Sequence, residues 1–422
     1  MLDLRRAACA LPLSLLLACE PGSNTQPAPP VRVPGSEATL ALDPPSEEAA
    51  RLHALGYVEV VGQERADVAV GAHLIDPARV QQGLNFYVNA HLCSAELMTL
   101  DGSVLRRWSH EPCLKWGNAV LTPKGEVLVI HRNPGETADE VFRARELLKF
   151  DWQGQLLWSR QLPVHHDVDV TPDGRIATLA YRLRVIPRFH STIPVRDHYV
   201  TLLDPDGNPI EEASLSEILV RSPAFPRFRE RDARRHDGQL ELDLIHSNSI
   251  EWLRDPELAQ QNSLYGTGNV LVCSRSQDSL WIIDWRTKRV VWSWGRGKLS
   301  GPHDATMLSN GNVLVFDNGL RTRSSRIVEV DPRTNEIVWS YQDPNPQSFF
   351  SSHRGAAQRL PNGNTLITDS GGGRAFEVTA DGEIVWTFVN PNRDEDGSRV
   401  VIVRMRRVQP SQTGKARFDW SD

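Results

Sequence analysis

Four histidines recur in one kind of setting along this chain: His166 in His165-His-Asp-Val, His246 in Ile245-His-Ser-Asn-Ser, His303 in Pro302-His-Asp-Ala-Thr and His353 in Ser352-His-Arg-Gly. Each lies shortly before an apolar stretch and a glycine turn. Imidazoles titrate near neutrality, so a group of them can supply a nucleophile, a general base and a general acid within one site. Arginines, which hold oxyanions, accompany them: Arg321 follows an Asn-Gly turn, Arg354 adjoins His353, and Arg182, Arg184 and Arg188 crowd a longer connection. Asp167 and Asp304 each directly follow a histidine, and either orient the ring or cap the next turn. For any one of the histidines the plainer role is a hydrogen bond to a neighbouring turn. Recurrence in register favours the functional role, because packing alone does not demand the same residue type at the same place. No two of them have a helical ligand spacing, so neither a metal nor another cofactor is expected.

Such spacing converges only if the elements repeat. Leu308-Ser-Asn-Gly-Asn-Val-Leu-Val-Phe316, Ile327 to Asp331 and Glu336-Ile-Val-Trp339 form one phrase, and it returns at Leu360-Pro-Asn-Gly-Asn-Thr-Leu-Ile367, Ala375 to Val378 and Glu383-Ile-Val-Trp386. Each unit offers four short strands closed by tight turns, the pattern of a propeller blade. More worn copies run backwards, through Gly268 to Trp292, Thr171 to Asp204 and Thr122 to Trp158, giving five nearly complete units between Gly117 and Phe388. A sixth is split. Phe86–Ala90, Glu96–Leu100 and Val104–Trp108 lack a first strand, while Val400–Val408 is a lone strand lacking the other three. Pairing them closes a ring and removes two exposed edges. The expected fold is therefore all-β, a six-bladed β-propeller over residues 83–410 with one blade closed by strands from both ends. The first strand of each blade lines the central channel, so the histidines meet at its mouth.

The chain has 422 residues, enough for six blades at ~40 to 50 residues each. Its net charge of -6 comes without a basic stripe, which argues against nucleic acid as a partner. Arg5 and Arg6 precede an apolar run too short to span a bilayer, ending Leu16-Leu-Ala-Cys19. That ending resembles a bacterial lipobox, so residues 1–19 are expected to be a signal with Cys19 lipidated, or else a simply cleaved signal. Residues 20–45, rich in Pro, Ser and Gly, read as a flexible tether, 46–82 as a short helical or extended lead-in with Ser46 capping a helix through Leu55, and 411–422 as a tail. The expected location is the periplasm or cell envelope, with membrane contact only through the amino-terminal lipid. In an exported chain Cys93 and Cys113, which flank two strands of one blade, are predicted to bridge, and Cys273 to sit in a core strand.

The strings His246-Ser-Asn-Ser-Ile-Glu, Gly301 to Gly319 and Gly355 to Ile367 resemble those of bacterial arylsulfotransferase-type propellers, the group independent of 3′-phosphoadenylyl sulfate. The resemblance runs from about Gly83 to Pro391. It implies transfer of a sulfuryl group from a phenolic sulfate ester to a phenolic acceptor through a sulfohistidine. It also implies roles: His353 as nucleophile, His246 and His303 as funnel histidines, and Arg321 as the sulfuryl-binding arginine. His166, Arg354, Asn248 and Asp304 are expected to bind substrate. A catalytically silent surface propeller that binds a small anionic or aromatic ligand, or a protein, would keep the same residues. A quinoprotein dehydrogenase would use Trp292, Trp339 and Trp386 to dock its cofactor, but ordinarily needs eight blades and a calcium site.

Overall fold

A computed structural model describes residues 69–134, 145–222, 233–236 and 239–409. The signal, Cys19, the tether, the helix from Ser46 and the tail lie outside the described residues. The strands fall into six separate sheets of radial type. Blade 1 runs from the axis outward as Ile402–Val408, Leu84–Asn89, Ser94–Met98 and Val104–Ser109, so the split blade is closed as the repeat count predicts. Blade 2 is Lys115–Leu121, Val127–Arg132, Arg145–Phe150 and Leu156–Gln161. Blade 3 is Val164–Val170, Ile176–Arg184, Val195–Leu203 and Pro209–Ser214, and the hairpin Ala233–His236 and Gln239–Leu242 joins it by a parallel pairing of Val195 with Leu242. Blade 4 is Ser247–Trp252, Val270–Ser274, Ser279–Asp284 and Arg289–Trp294. Blade 5 is His303–Met307, Val313–Asp317, Arg326–Asp331 and Glu336–Tyr341. Blade 6 is Ala356–Arg359, Thr365–Asp369, Arg374–Val378 and Ile384–Val389, with Gly71–Leu74 added as a fifth, outermost strand. That last strand falls in the stretch expected to be a lead-in.

The repeated turns close because glycine takes the left-handed backbone they need: Gly311 has φ of +84° and Gly363 +89°, each donating back to the residue three before it. Tryptophan recurs for a reason of packing. The indole N–H of an outer strand donates to a turn of the next blade, from Trp108 to the Asp151 carbonyl (2.9 Å), Trp292 to Asn335 Oδ1 (2.9 Å), Trp339 to the Ala380 carbonyl (2.9 Å) and Trp386 to the Leu100 carbonyl (2.8 Å). These rings latch blade to blade.

A second belt runs near the axis. Each inner strand has an edge of backbone N–H groups that no further strand can pair, and side chains of the preceding blade accept from it. Asp167 takes the Ile250 N–H, Ser249 the Ala305 N–H, Asp304 the Ala357 N–H and Thr368 the Met405 N–H, at 2.9 to 3.1 Å. Asp167 and Asp304 are thus used in joining blades, not in orienting imidazoles.

Cys93 and Cys113 form a disulfide, and Cys273 is free and buried. The bridge joins two connections at the channel mouth across 20 residues of sequence. Cross-links closing loops of this size contribute about 3 kcal/mol by restricting the unfolded chain. The double variant Cys93→Ser, Cys113→Ser is expected to lose about 2 to 4 kcal/mol in denaturant unfolding, and an unchanged midpoint would show that the bridge adds no stability.

Candidate active site at the channel mouth

Five of the six inner strands are irregular at the same level. The pairing slips between Trp116 and Ala119, at Thr178/Leu179 opposite His166 and Asp167, between Ser247 and Ser249, between His303 and Thr306, and at Tyr87/Asn89 opposite Ile402 to Met405. A bulge turns a side chain out of the alternating pattern and bends the strand. Left-handed backbone at non-glycine residues lies in or beside it at His166 (φ +60°), His246 (+44°) and Asp304 (+50°), and Arg354 (+57°) has the same backbone before the unslipped inner strand of blade 6. Each such residue carries about 1 to 3 kcal/mol of strain, which clusters where a side chain must be aimed.

The bulges bring three of the four histidines into one group with two that were not foreseen. His166 and His246 lie 5.0 Å apart between ring centroids, His165 and His166 4.8 Å, His165 and His198 4.8 Å, and His198 and His246 6.2 Å. His166 is exposed in the funnel and His246 partly so, whereas His165 and His198 are buried behind them. His303 completes the group from blade 5, close enough to His246 and His353 for each to depress its basicity. Asp243, in the apolar run Leu242-Asp-Leu-Ile245, accepts from His246 Nδ1 (2.5 Å) and from His198 Nε2 (3.3 Å).

The protonation of His303 follows from its neighbours. Asn318 donates from Nδ2 to the carbonyls of Ser351 and Arg354, both at 2.7 Å, so its Oδ1 must face His303. His303 Nδ1 meets that oxygen at 2.7 Å and the Gly301 carbonyl at 3.1 Å. Both are acceptors, so Nδ1 carries the proton and Nε2 the lone pair. Burial, then Arg275, then His246 and His353 hold this imidazole well below the usual range, outweighing Asn318. The turn that presents it depends on Gly301 (φ +69°), where a Cβ would come within 2.4 Å of Leu320 Cδ1.

The other expected site residues are placed as follows. His353 is half-buried, with Nδ1 2.9 Å from Ser352 Oγ and Nε2 enclosed by protein. Arg321 stands at the same mouth but is turned aside, bonded to Asp278 Oδ2 (2.9 Å) and to the Leu299 carbonyl (2.5 Å), and its side chain is 55% exposed. Arg275, whose N–H donates to the His246 carbonyl (3.1 Å), is the guanidinium close to both His246 and His303, and lowers both. Asn248 is buried and donates to the Pro302 carbonyl at 2.7 Å. Arg354 is half-buried in the turn before the inner strand of blade 6.

Asp304, expected to bind substrate, has its oxygens engaged by Arg404 (2.9 Å), Arg406 (2.8 Å) and the Ala357 N–H. Arg404 also reaches Asp167 at 3.0 Å, where Asn118 adds a bond of 2.5 Å. Two carboxylates from blades 3 and 5 are thereby clamped by arginines of blade 1, and together they floor the funnel. Among the described residues no group of three or more His, Cys, Asp or Glu side chains is arranged to hold a metal ion. A separate cleft of about 250 Å³ lies at the opposite ends of the strands that carry His246 and His303, lined by Glu251, Leu253, Tyr265 and Met307. Burial and Asp169 push Glu251 there up to about 8.

The protein is thus a six-bladed propeller with a polar, histidine-lined funnel above a salt-bridged floor. The model of the arylsulfotransferase (ASST) family matches residues 145–391, more than half of the chain, and the chain belongs to that family. No curated protein matches it. Among solved structures, a protein of unknown function from Bacteroides caccae is 13% identical and covers 77% of this chain and 98% of its own, with a TM-score of 0.48. A streptogramin B lyase is 12% identical (82% and 96% covered, TM-score 0.45), and a catalytically inactive virginiamycin B lyase from Staphylococcus aureus is 11% identical (76% and 89%, TM-score 0.43).

Proposed function

We propose that this chain is an exported enzyme that transfers a sulfuryl group from a phenolic sulfate ester to a phenolic acceptor through a sulfohistidine. The observation that carries the reading is the state of His303: neutral, its Nδ1–H held by Asn318 and Gly301, its Nε2 lone pair left for attack at the level where the funnel histidines gather. A sulfate monoester, like a phosphate monoester, passes its group through a loose transition state with charge on the peripheral oxygens, so positioning and cationic donors supply most of the catalysis. Arg275 is the guanidinium beside His303 and His246, and Arg321, released from Asp278, is a second at the same mouth.

The family resemblance assigns attack to His353. Two features support giving the role to His303 instead: the Nε2 of His353 is enclosed, and Ser352 Oγ, able to donate or accept, does not fix which of its nitrogens carries the proton. His246 is left as the proton donor to the departing phenolate. Export and attachment through Cys19 belong to this reading as well, and fractionation of a Cys19→Ser variant tests them. The chemistry is tested by incubating the protein with 4-nitrophenyl sulfate without acceptor and mapping peptides by mass spectrometry. A sulfuryl adduct is expected on the peptide carrying His303. An adduct on the His353 peptide alone would return that residue to the nucleophile's role, and the absence of any adduct or turnover would favour a silent binding propeller.

A further inference from the structure

Asp243 is the junction of a hydrogen-bonded chain that begins in the dry interior and ends in the funnel. Ser247 Oγ donates to His198 Nδ1 at 2.9 Å, His198 Nε2 donates to Asp243 Oδ1 at 3.3 Å, and His246 Nδ1 donates to Asp243 Oδ2 at 2.5 Å. Relative exposure falls from 19% for the His246 side chain to 6% for Asp243, 1% for His198 and 0% for Ser247. The directions are forced. A carboxylate can only accept, so each histidine presents an N–H to it. His198 then has a lone pair left on Nδ1, which the serine hydroxyl fills.

Resting on the sulfuryl-transfer reading, we propose that Asp243 is a positioning residue that fixes His246 as the Nδ1–H tautomer, so that Nε2 alone carries the proton exchanged with substrate, and that His198 and Ser247 lock Asp243 for this task. The carboxylate stays ionised: burial would raise it, but His246, His198 and Arg196 hold it well below the usual range. It also favours the imidazolium of His246, but burial outweighs it and, with Arg275 and His198, holds that ring below its usual value; His166, edge-on at 5.0 Å, and His303 are further titratable neighbours.

The proton balance closes over two half-reactions. In the first, the donor's S–O bond to the aryl group breaks, a bond forms from sulfur to His303 Nε2, and the Nε2 proton of the His246 imidazolium passes to the leaving phenolate. In the second, the acceptor's phenolic proton passes to His246 Nε2 as its oxygen takes the sulfuryl group and the S–N bond breaks. No proton is gained or lost overall, and one nitrogen serves both halves. Only a ring whose other nitrogen is permanently engaged can do this without flipping. An aspartate in this relation to a catalytic histidine elsewhere contributes up to about 10^4-fold in rate through the tautomer it imposes.

The test uses the full chain with 15N-labelled histidine. In the wild type the His246 signals are expected to report a protonated Nδ1 and an unprotonated Nε2 in the neutral form. In Asp243→Asn the tautomer preference should be lost and the His246 pKa should fall, because a negative charge that favours the imidazolium has gone. Turnover of phenyl sulfate should drop about 10^2- to 10^4-fold in kcat with KM changed little. Turnover of 4-nitrophenyl sulfate, whose phenolate leaves without a proton, should drop less in the first half-reaction. A wild type with the Nε2–H tautomer, or an Asp243→Asn protein whose His246 titrates unchanged, overturns the proposal. Should Asp243→Asn fail to fold, the wild-type tautomer and the milder Ser247→Ala variant, expected to shift the His198 Nδ1 resonance, carry the test. The spectra need no turnover. An expected tautomer in a protein that transfers no sulfuryl group would support the positioning and sink the sulfotransferase reading alone.

Discussion

His303→Ala is expected to abolish turnover of aryl sulfates, by more than about 10^4-fold, and to leave no sulfuryl adduct, because the attacking atom itself is gone. His303 makes no salt bridge among the described residues, but its removal leaves the buried Asn318 Oδ1 without its donor, so a stability cost of about 1 to 3 kcal/mol is expected beside the far larger loss in chemistry. Arg275→Ala should cost about 2.7 to 4 kcal/mol in the transition state, ~100- to 1,000-fold in rate, as is typical for removal of one positioned charge donor. Single-turnover measurements with 4-nitrophenyl sulfate, with and without phenol, separate the two effects. The opposite pattern, a dead His353→Ala and a His303→Ala that still accumulates adduct, would exchange the roles of the two histidines.

The largest effect on stability is expected at the floor of the funnel. Arg404 is 15% exposed at its side chain and pairs with Asp167 and Asp304, each 3% exposed. Their environments differ. Asp304 has both Arg404 and Arg406, and although burial would raise it, these hold it below its ordinary value; Asp167 has Arg404 alone, and burial keeps it raised. Arg404→Met leaves Asp167 as an uncompensated buried charge, a change that generally costs about 3 to 5 kcal/mol. The sign of the pH dependence follows from linkage. With the folded-state pKa of Asp167 above the unfolded value, the folded protein binds the extra proton, so the deficit is greatest at neutral pH and shrinks as pH falls through the folded pKa. Denaturant unfolding of wild type and variant at two pH values reads this directly. A variant as stable as the wild type at pH 7 would mean that the pairing has no net structural value. Asp167→Asn in the same background should recover part of the loss.

The repeat made the blades legible because everything that defines one is local: a glycine turn, alternating apolar residues and a tryptophan at fixed spacing. Closure by Ile402–Val408 could also be read, since counting strands leaves one blade short by a single strand. Gly71–Leu74 could not be read so, because an outer fifth strand has no partner implied by the repeat. At the site, His166, His246 and His303 were legible through their register before the turns. His198 lies in the third strand of its blade and comes up behind the funnel histidines because Val195–Leu203 is nine residues long and pairs Tyr181 with His198. Asp243 had a signal that went unused: a lone acid in an apolar run, three residues before a histidine. Arg275 and Arg404 carried none, since their directions depend on bulges and on the pairing of distant segments.

The last-made strand does more than shut the ring. Arg404 and Arg406 sit on Ile402–Val408, so the charges that neutralise Asp167 and Asp304 come from the strand that closes the ring. Without that strand, two neighbouring acids near the axis lose the arginines that offset them. Closure of the ring and completion of the funnel floor are therefore one event. A polypeptide broken before Arg404 is expected to lose the counter-charges of both acids at once, and with them the floor on which the funnel stands.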